Sequence, residues 1–140
     1  MNVDVYGNFG SRRLGHEAKN AVIRVVVKKL AAQSVTLLRR GNRQEGFYQT
    51  HFIGDGFGVG KLVKRGGKWE FIHLGFKKAP RKFNDFFEYT FKVEGDLLTV
   101  EAEGKEVLRV RDTEITGKGE MVFGVRGRGL FKKAEIKILD

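Results

Sequence analysis

Cysteine is absent from this chain of 140 residues, and proline occurs once, at Pro80. Without cysteine, a disulfide scaffold, a thiolate zinc site and a cysteine nucleophile are all excluded. No apolar run approaches the roughly 20 residues of a membrane-crossing helix, so no membrane insertion is expected. The opening MNVDVYGNFG lacks the apolar core of a secretory signal. Carboxylates are scarce in one part only. Residues 10–82 hold 17 Lys/Arg against 4 Asp/Glu, a net of +13, whereas residues 83–140 hold 10 against 12, a net of −2; Asp4 brings the total to +10. A segregated field of this kind favours an anionic partner, although net charge also serves solubility.

Glycine and aromatics are plentiful: 19 Gly, 12 Phe, 3 Tyr and one Trp, in a chain that is 41% hydrophobic. The aromatics, spread along the whole length, argue against disorder. Glycine supplies positive φ for tight turns, whereas proline removes a donor from a strand ladder. Many Gly with one Pro therefore suits many strands joined by short turns. The length fits one domain over 1–140, with residues 1–20 expected to form an edge strand and an irregular segment.

Period-2 alternation dominates. Ala21, Ile23, Val25 and Val27 share one face of a strand, with Val22, Arg24, Val26 and Lys28 on the other. Val35, Leu37 and Arg39 alternate with Thr36, Leu38 and Arg40. Phe47, Gln49, His51 and Ile53 alternate with Tyr48, Thr50 and Phe52. Further strands are expected at 57–64, 68–74, 86–94, 96–103, 105–111, 120–126 and 131–139, with a short edge strand at 3–6. Gly between alternating runs marks hairpins at 54–56, 65–67, 94–96 and 103–105. Residues 75–85 read as the longest loop, and Arg126-Gly127-Arg128-Gly129 as a turn between two strands. Ten or eleven strands at this spacing predict an all-β sandwich or barrel.

The C-terminal half carries a resemblance. An aromatic-led strand (Phe87 to Val93), a Gly hairpin at Gly95, a hairpin from Val100 to Val107, then Asp112, a Gly117-to-Val125 strand and a closing Ala134-to-Ile138 strand follow in order. This succession resembles the concanavalin A-like lectin/glucanase superfamily, in particular its laminin-G-like and 3-keto-disaccharide-hydrolase-like branches. Upstream, LLRRGNRQEGFYQTHF is similar to the family's Arg-bearing strand pair, with Arg39 or Arg40 matching the Arg and Phe47 or Tyr48 the aromatic. Two departures stand out: Glu103 replaces the usual hairpin Asn, and the family is normally longer at its N-terminus, so that residues 1–20 supply the missing strand or the chain is a compact variant or an excised module. The resemblance implies a two-sheet antiparallel jelly-roll sandwich and a lectin-like role.

For catalysis, glycoside hydrolysis needs two carboxylates flanking one bond, and the family's E-x-D-x-x-E strand is missing. Glu101 and Glu103 share a strand face but abut a hairpin tip, which reads as solvated charge. His16, His51 and His73 are the only histidines; His51 and His73, with Glu70 or Asp55, could meet at a metal, but polar outward positions explain them as well. GDGFGVGK at 54–61 fails as a phosphate loop because Leu62 follows Lys61 and strands flank it. Gly58 and Gly60 share one strand face and leave a depression for a ligand or a facing side chain. No catalytic residue, metal ligand or cofactor is therefore expected.

Glycan binding calls for aromatic platforms, hydrogen-bonding forks and, for acidic sugars, cations. Trp69 and Tyr48 are the candidate platforms, with burial in the core as the alternative for each. Arg39, His51, Lys61 and His73 are expected to face outward on neighbouring strands, with Arg43 and Arg126 at the rim. The expected partner is a neutral or acidic glycan. Two other classes remain open: a basic domain stacking single-stranded nucleic acid on its aromatics, and a structural or protein-interaction sandwich without a small ligand.

Overall fold

The computed structural model describes residues 3–140 along the backbone and the side chains of residues 17–140. Among the described residues there are ten strands and no helix: β1 (Val3–Ala18), β2 (Ala21–Lys29), β3 (Val35–Asn42), β4 (Gly46–Ile53), β5 (Gly56–Arg65), β6 (Lys68–Lys78), β7 (Phe87–Glu94), β8 (Leu97–Ala102), β9 (Lys105–Arg111) and β10 (Gly119–Ile138). Every ladder is antiparallel, in the order β6-β5-β4-β3-β10-β2-β7-β8-β9, with β1 also on β10.

β10 turns this ladder into two layers. Its residues 120–126 pair with β3, and its residues 129–138 pair with β2. Between them Gly127 takes a φ of 96°, where a side chain would be strained and would press on Ser34. The strand bends there without breaking, so the turn expected at 126–129 is a bend within one strand. The backbone on either side keeps its partners: Leu30 N donates to Arg128 O at 3.1 Å, and Arg128 N donates to Ser34 Oγ at 2.9 Å. β1 follows β10 through the bend, with Val3 opposite Phe131 and Ala18 opposite Gly119. The expected short edge strand thus runs on through most of the segment that was expected to be irregular. His16 lies outside the described side chains.

The layer β3–β6 packs on β7–β9, with β9 reaching β5 and β6. The core between them takes one alternation phase from each strand: Ile23, Val25 and Val27; Leu38; Tyr48 and Phe52; Phe57, Val59 and Val63; Tyr89 and Phe91; Leu98 and Val100; Phe123 and Val125. At one end Phe52, Phe57, Phe83, Phe87 and Tyr89 form a ring cluster with centroids 4.5–6.2 Å apart. Ring pairs at such spacing add ~0.5–1.5 kcal/mol each beyond their buried area. The expected hairpins are present. At the β8–β9 turn both Glu103 (φ 52°) and Gly104 (φ 76°) are left-handed, as a two-residue hairpin turn of this twist demands. β6 continues to Lys78, which shortens the expected long loop to residues 79–86.

Candidate functional site

Side-chain alternation gives the β3–β6 layer two faces. The inward phase is Thr36, Leu38 and Arg40 on β3; Tyr48, Thr50 and Phe52 on β4; Phe57, Val59, Lys61 and Val63 on β5. The outward phase forms cross-strand rows. One runs Val122–Arg39–Gln49–Gly60–His73, and the next runs Gly124–Leu37–His51–Gly58–Phe76.

Lys61 was expected to face outward, and Tyr48 was a candidate platform with burial in the core as its alternative; both lie on the inward face. Tyr48 is fully buried, and Lys61 is 9% exposed. Tyr48 Oη donates to Asp112 Oδ2 at 2.8 Å and accepts from Ile115 N at 3.1 Å. Lys61 Nζ meets Asp112 Oδ1 at 2.9 Å and Glu114 Oε1 at 2.8 Å. Buried Arg40 donates to Gly117 O at 2.5 Å, while Glu45 accepts from Thr116 N and Asn42 donates to Lys118 O. These groups strap the β9–β10 connection across the end of the sandwich. Burial pulls the Lys61 ammonium down, but its hydrogen bonds to Glu114 and Asp112 outweigh this and hold it above its usual value. Burial pushes the Asp112 carboxyl up, but hydrogen bonds from Lys61 and Tyr48 win and hold it below the usual range. Burial raises the Tyr48 phenol. This interior network is held within the chain, with Lys61, Asp112 and Glu114 ion-paired and Arg40 bonded through one nitrogen while its buried Nε has no hydrogen-bond partner.

Outside, a groove of about 700 Å³ lies over the other face of the same strands, lined by Glu17, Arg39, Gly41, Asn42, Arg43, Phe47, Lys64, Trp69, Glu120 and Val122. Three expected site residues, Arg39, Arg43 and Trp69, meet here. Trp69 is 42% exposed, and its ring lies 6.2 Å from that of Phe47. Lys64 Nζ sits 5.6 Å from the Trp69 centroid, and the Arg39 guanidinium sits 5.8 Å from that of Phe47. Arg39 Nε donates to Gln49 Oε1, which fixes the fork. Burial, and then the charge of Arg126, push Arg39 down to about 10; it remains a cation at neutral pH. Glu17 of β1 lies directly opposite Glu120 of β10. The groove is therefore bipolar, with carboxylates on its β1–β10 side and cations with aromatics on its β3–β6 side.

His51, His73 and Arg126 share the outward face, farther along the strands. The depression at Gly58 and Gly60 is filled from within the chain: a Cβ at Gly58 would run into the His51 imidazole, and one at Gly60 into the Phe71 ring. His51 is only 8% exposed, packs edge-on to Phe71 at 5.6 Å and His73 at 6.2 Å, and its Nδ1 has no hydrogen-bond partner. Burial, and then His73, lower it to about 4. Among the described residues no group of three or more His, Asp or Glu is placed to hold a metal. Glu101 and Glu103 are apart from the groove and ion-paired, with Lys92 at 2.9 Å and Arg81 at 3.5 Å.

Phe47, Lys64, Gln49, Glu17 and Glu120 were not anticipated. A signal existed for the first three, since each shares alternation phase with an expected outward neighbour on its own strand or hairpin. The same phase excludes Lys61, which falls with Phe57, Val59 and Val63.

No family model and no curated protein matches the sequence. Solved structures do match in shape. Carbohydrate-binding module CBM66 from Bacillus subtilis superposes with a TM-score of 0.74 at 13% identity, over 94% of this chain and 83% of that one. A protein of unknown function with a galectin-like fold, also from Bacillus subtilis, gives 0.71 at 8%, over 91% and 76%. Caenorhabditis elegans galectin LEC-6 gives 0.62 at 16%, over 98% and 89%. At these identities the likeness speaks to fold alone, and the fold is an all-β antiparallel jelly-roll sandwich of the galectin-like kind.

Proposed function

We propose that the groove over β3–β6 and β10 binds a glycan by equilibrium recognition, without catalysis, and that an acidic sugar is the preferred ligand. The observation that carries this reading is that exposed Trp69 and the cations Arg39, Arg43 and Lys64 line one groove. An apolar sugar face can lie on the Trp69 ring, while an Arg fork pairs with a carboxylate or sulfate. Glu17 and Glu120 supply acceptors for hydroxyls on the opposite wall. The carbohydrate-binding module and the galectin among the structural neighbours support the reading.

Calorimetric titration with neutral and acidic oligosaccharides tests this. Saturable binding of an acidic oligosaccharide is expected, with loss on Trp69→Ala and a weakening of ~1–3 kcal/mol on Arg39→Gln, the worth of a hydrogen bond to a charged group. No heat with either sugar class at millimolar concentration would sink it.

A further inference from the structure

The other end of the sandwich carries two features the groove does not use. Four connections and the bend of β10 converge there, tied by contacts that fix them as one surface. Lys29 Nζ donates to Ala32 O and Gly54 O, joining the β2–β3 and β4–β5 turns. Ala79 N donates to Asp55 O, adding the β6–β7 connection. Arg81 pairs with Glu103 of the β8–β9 turn at 3.5 Å, and Leu30 N donates to Arg128 O at the bend of β10.

This end is strongly cationic. Lys77 and Lys78 close β6, Arg81 and Lys82 follow in the connection, and all four are exposed. Lys28 and Lys132 flank them, at 6.0 and 5.4 Å from the Phe86 ring. The acids of this rim are each matched already: Asp55 with Lys78, Asp85 with Lys28, Glu103 with Arg81. The same end is also apolar at its tips. The β2–β3 turn begins Leu30-Ala31-Ala32, the first two half-buried and Ala32 exposed; Ile53 is 44% exposed, and Phe76 is 60% exposed.

We infer that this end docks on an anionic lipid surface, with the apolar tips at headgroup level inside a collar of Lys and Arg. Two properties favour a bilayer over a linear polyanion. The cations are spread over both layers of the sandwich, a two-dimensional footprint and not a stripe that tracks a backbone. The exposed Ile53, Phe76 and Ala32 lie among them, where a polar chain gives them nothing and an acyl boundary buries them. Among the described residues no helix is long and apolar enough to cross a membrane. The groove lies toward the opposite end, so the two sites are independent.

Sedimentation with vesicles tests this, using phosphatidylcholine alone and equimolar phosphatidylcholine and phosphatidylserine at low and high salt. The chain is expected to pellet with the phosphatidylserine vesicles at low salt and to be released at high salt. Lys77→Gln/Lys78→Gln/Lys82→Gln should weaken partitioning on the order of a hundredfold, about fivefold per charge. In a Trp69→Phe background, an Ala32→Trp reporter should shift to the blue on adding anionic vesicles. Trp69→Ala should partition as the native chain does, which separates this surface from the glycan groove. Equal binding to both vesicle types, or native partitioning by the triple variant, overturns the inference. So does a mobility shift with a single-stranded oligonucleotide while the chain stays in the vesicle supernatant.

Discussion

His51 shows how much one side chain can concentrate. Its ring fits only because Gly58 opposite has no Cβ, and it is sealed by Phe71 and His73. An imidazole buried this way resists protonation, which places its pKa at about 4. The unfolded chain takes up that proton near 6.5, before the folded one does. Stability is thus fully present above pH 6.5 and falls as pH drops toward 4, by on the order of 3 kcal/mol. Below that the folded state protonates too and the loss levels off. Denaturant melts across this window should show the slope in the native chain and a flatter profile in His51→Gln; parallel profiles would remove His51 as the cause. Residue-level phase was legible in the sequence: Tyr48 falls opposite His51 on a strand, so the two cannot share a binding face. What alternation does not reveal is depth. Nothing in the string FYQTHFI tells that His51 is sealed while Trp69, two strands away, stays open.

At the scale of elements, local patterns placed most strands and hairpins, because period 2 and left-handed turn residues act over a few neighbours. The misses involve partners far along the chain. The RGRG segment has turn chemistry, yet β10 stays continuous because β1 runs beside it and Ser34 holds its bend. The β9–β10 connection carries no pattern at all, and its shape is set by Arg40, Tyr48 and Lys61 reaching it from three other strands. Asp112 is the hub of that strap. Asp112→Asn leaves the Lys61 ammonium with Glu114 alone, so the cost should sit near the low end of breaking a buried pair, ~3 kcal/mol. Because the Asp112 carboxyl is held below its usual range, its contribution is present above the unfolded carboxyl value and lost as pH falls through the folded one. The Asn variant should therefore approach the native stability at strongly acid pH, measured by chemical denaturation. A constant difference down to acid pH would show that packing, not charge, holds the connection.

For the whole molecule, the basic residues of 10–82 gather at two separate places. The groove lies toward the end that holds Arg43, Lys64 and Trp69, and the Lys-rich rim lies at the other. A chain docked by that rim would keep its groove away from the surface, open to a soluble or extended glycan. Within the groove a smaller polarity decides ligand charge. Glu17 lies opposite Glu120 across the β1–β10 ladder, and an exposed carboxylate on that wall disfavours an approaching anion. Arg39, Arg43 and Lys64 act the other way. If the cations set preference, removing exposed Glu17 should tighten an acidic oligosaccharide by ~0.2–1 kcal/mol, the range of surface charge pairs. A neutral oligosaccharide should gain nothing and lose one acceptor. Screening shortens the reach of surface charge to about 8 Å at physiological ionic strength, so the gap between native and Glu17→Gln should shrink as salt is raised. Calorimetry of both proteins with both sugars at two salt concentrations reads this directly. Equal affinity changes for the neutral and acidic sugar would mean that Glu17 acts through shape or hydroxyl contact, and that the polarity of the groove does not select its ligand.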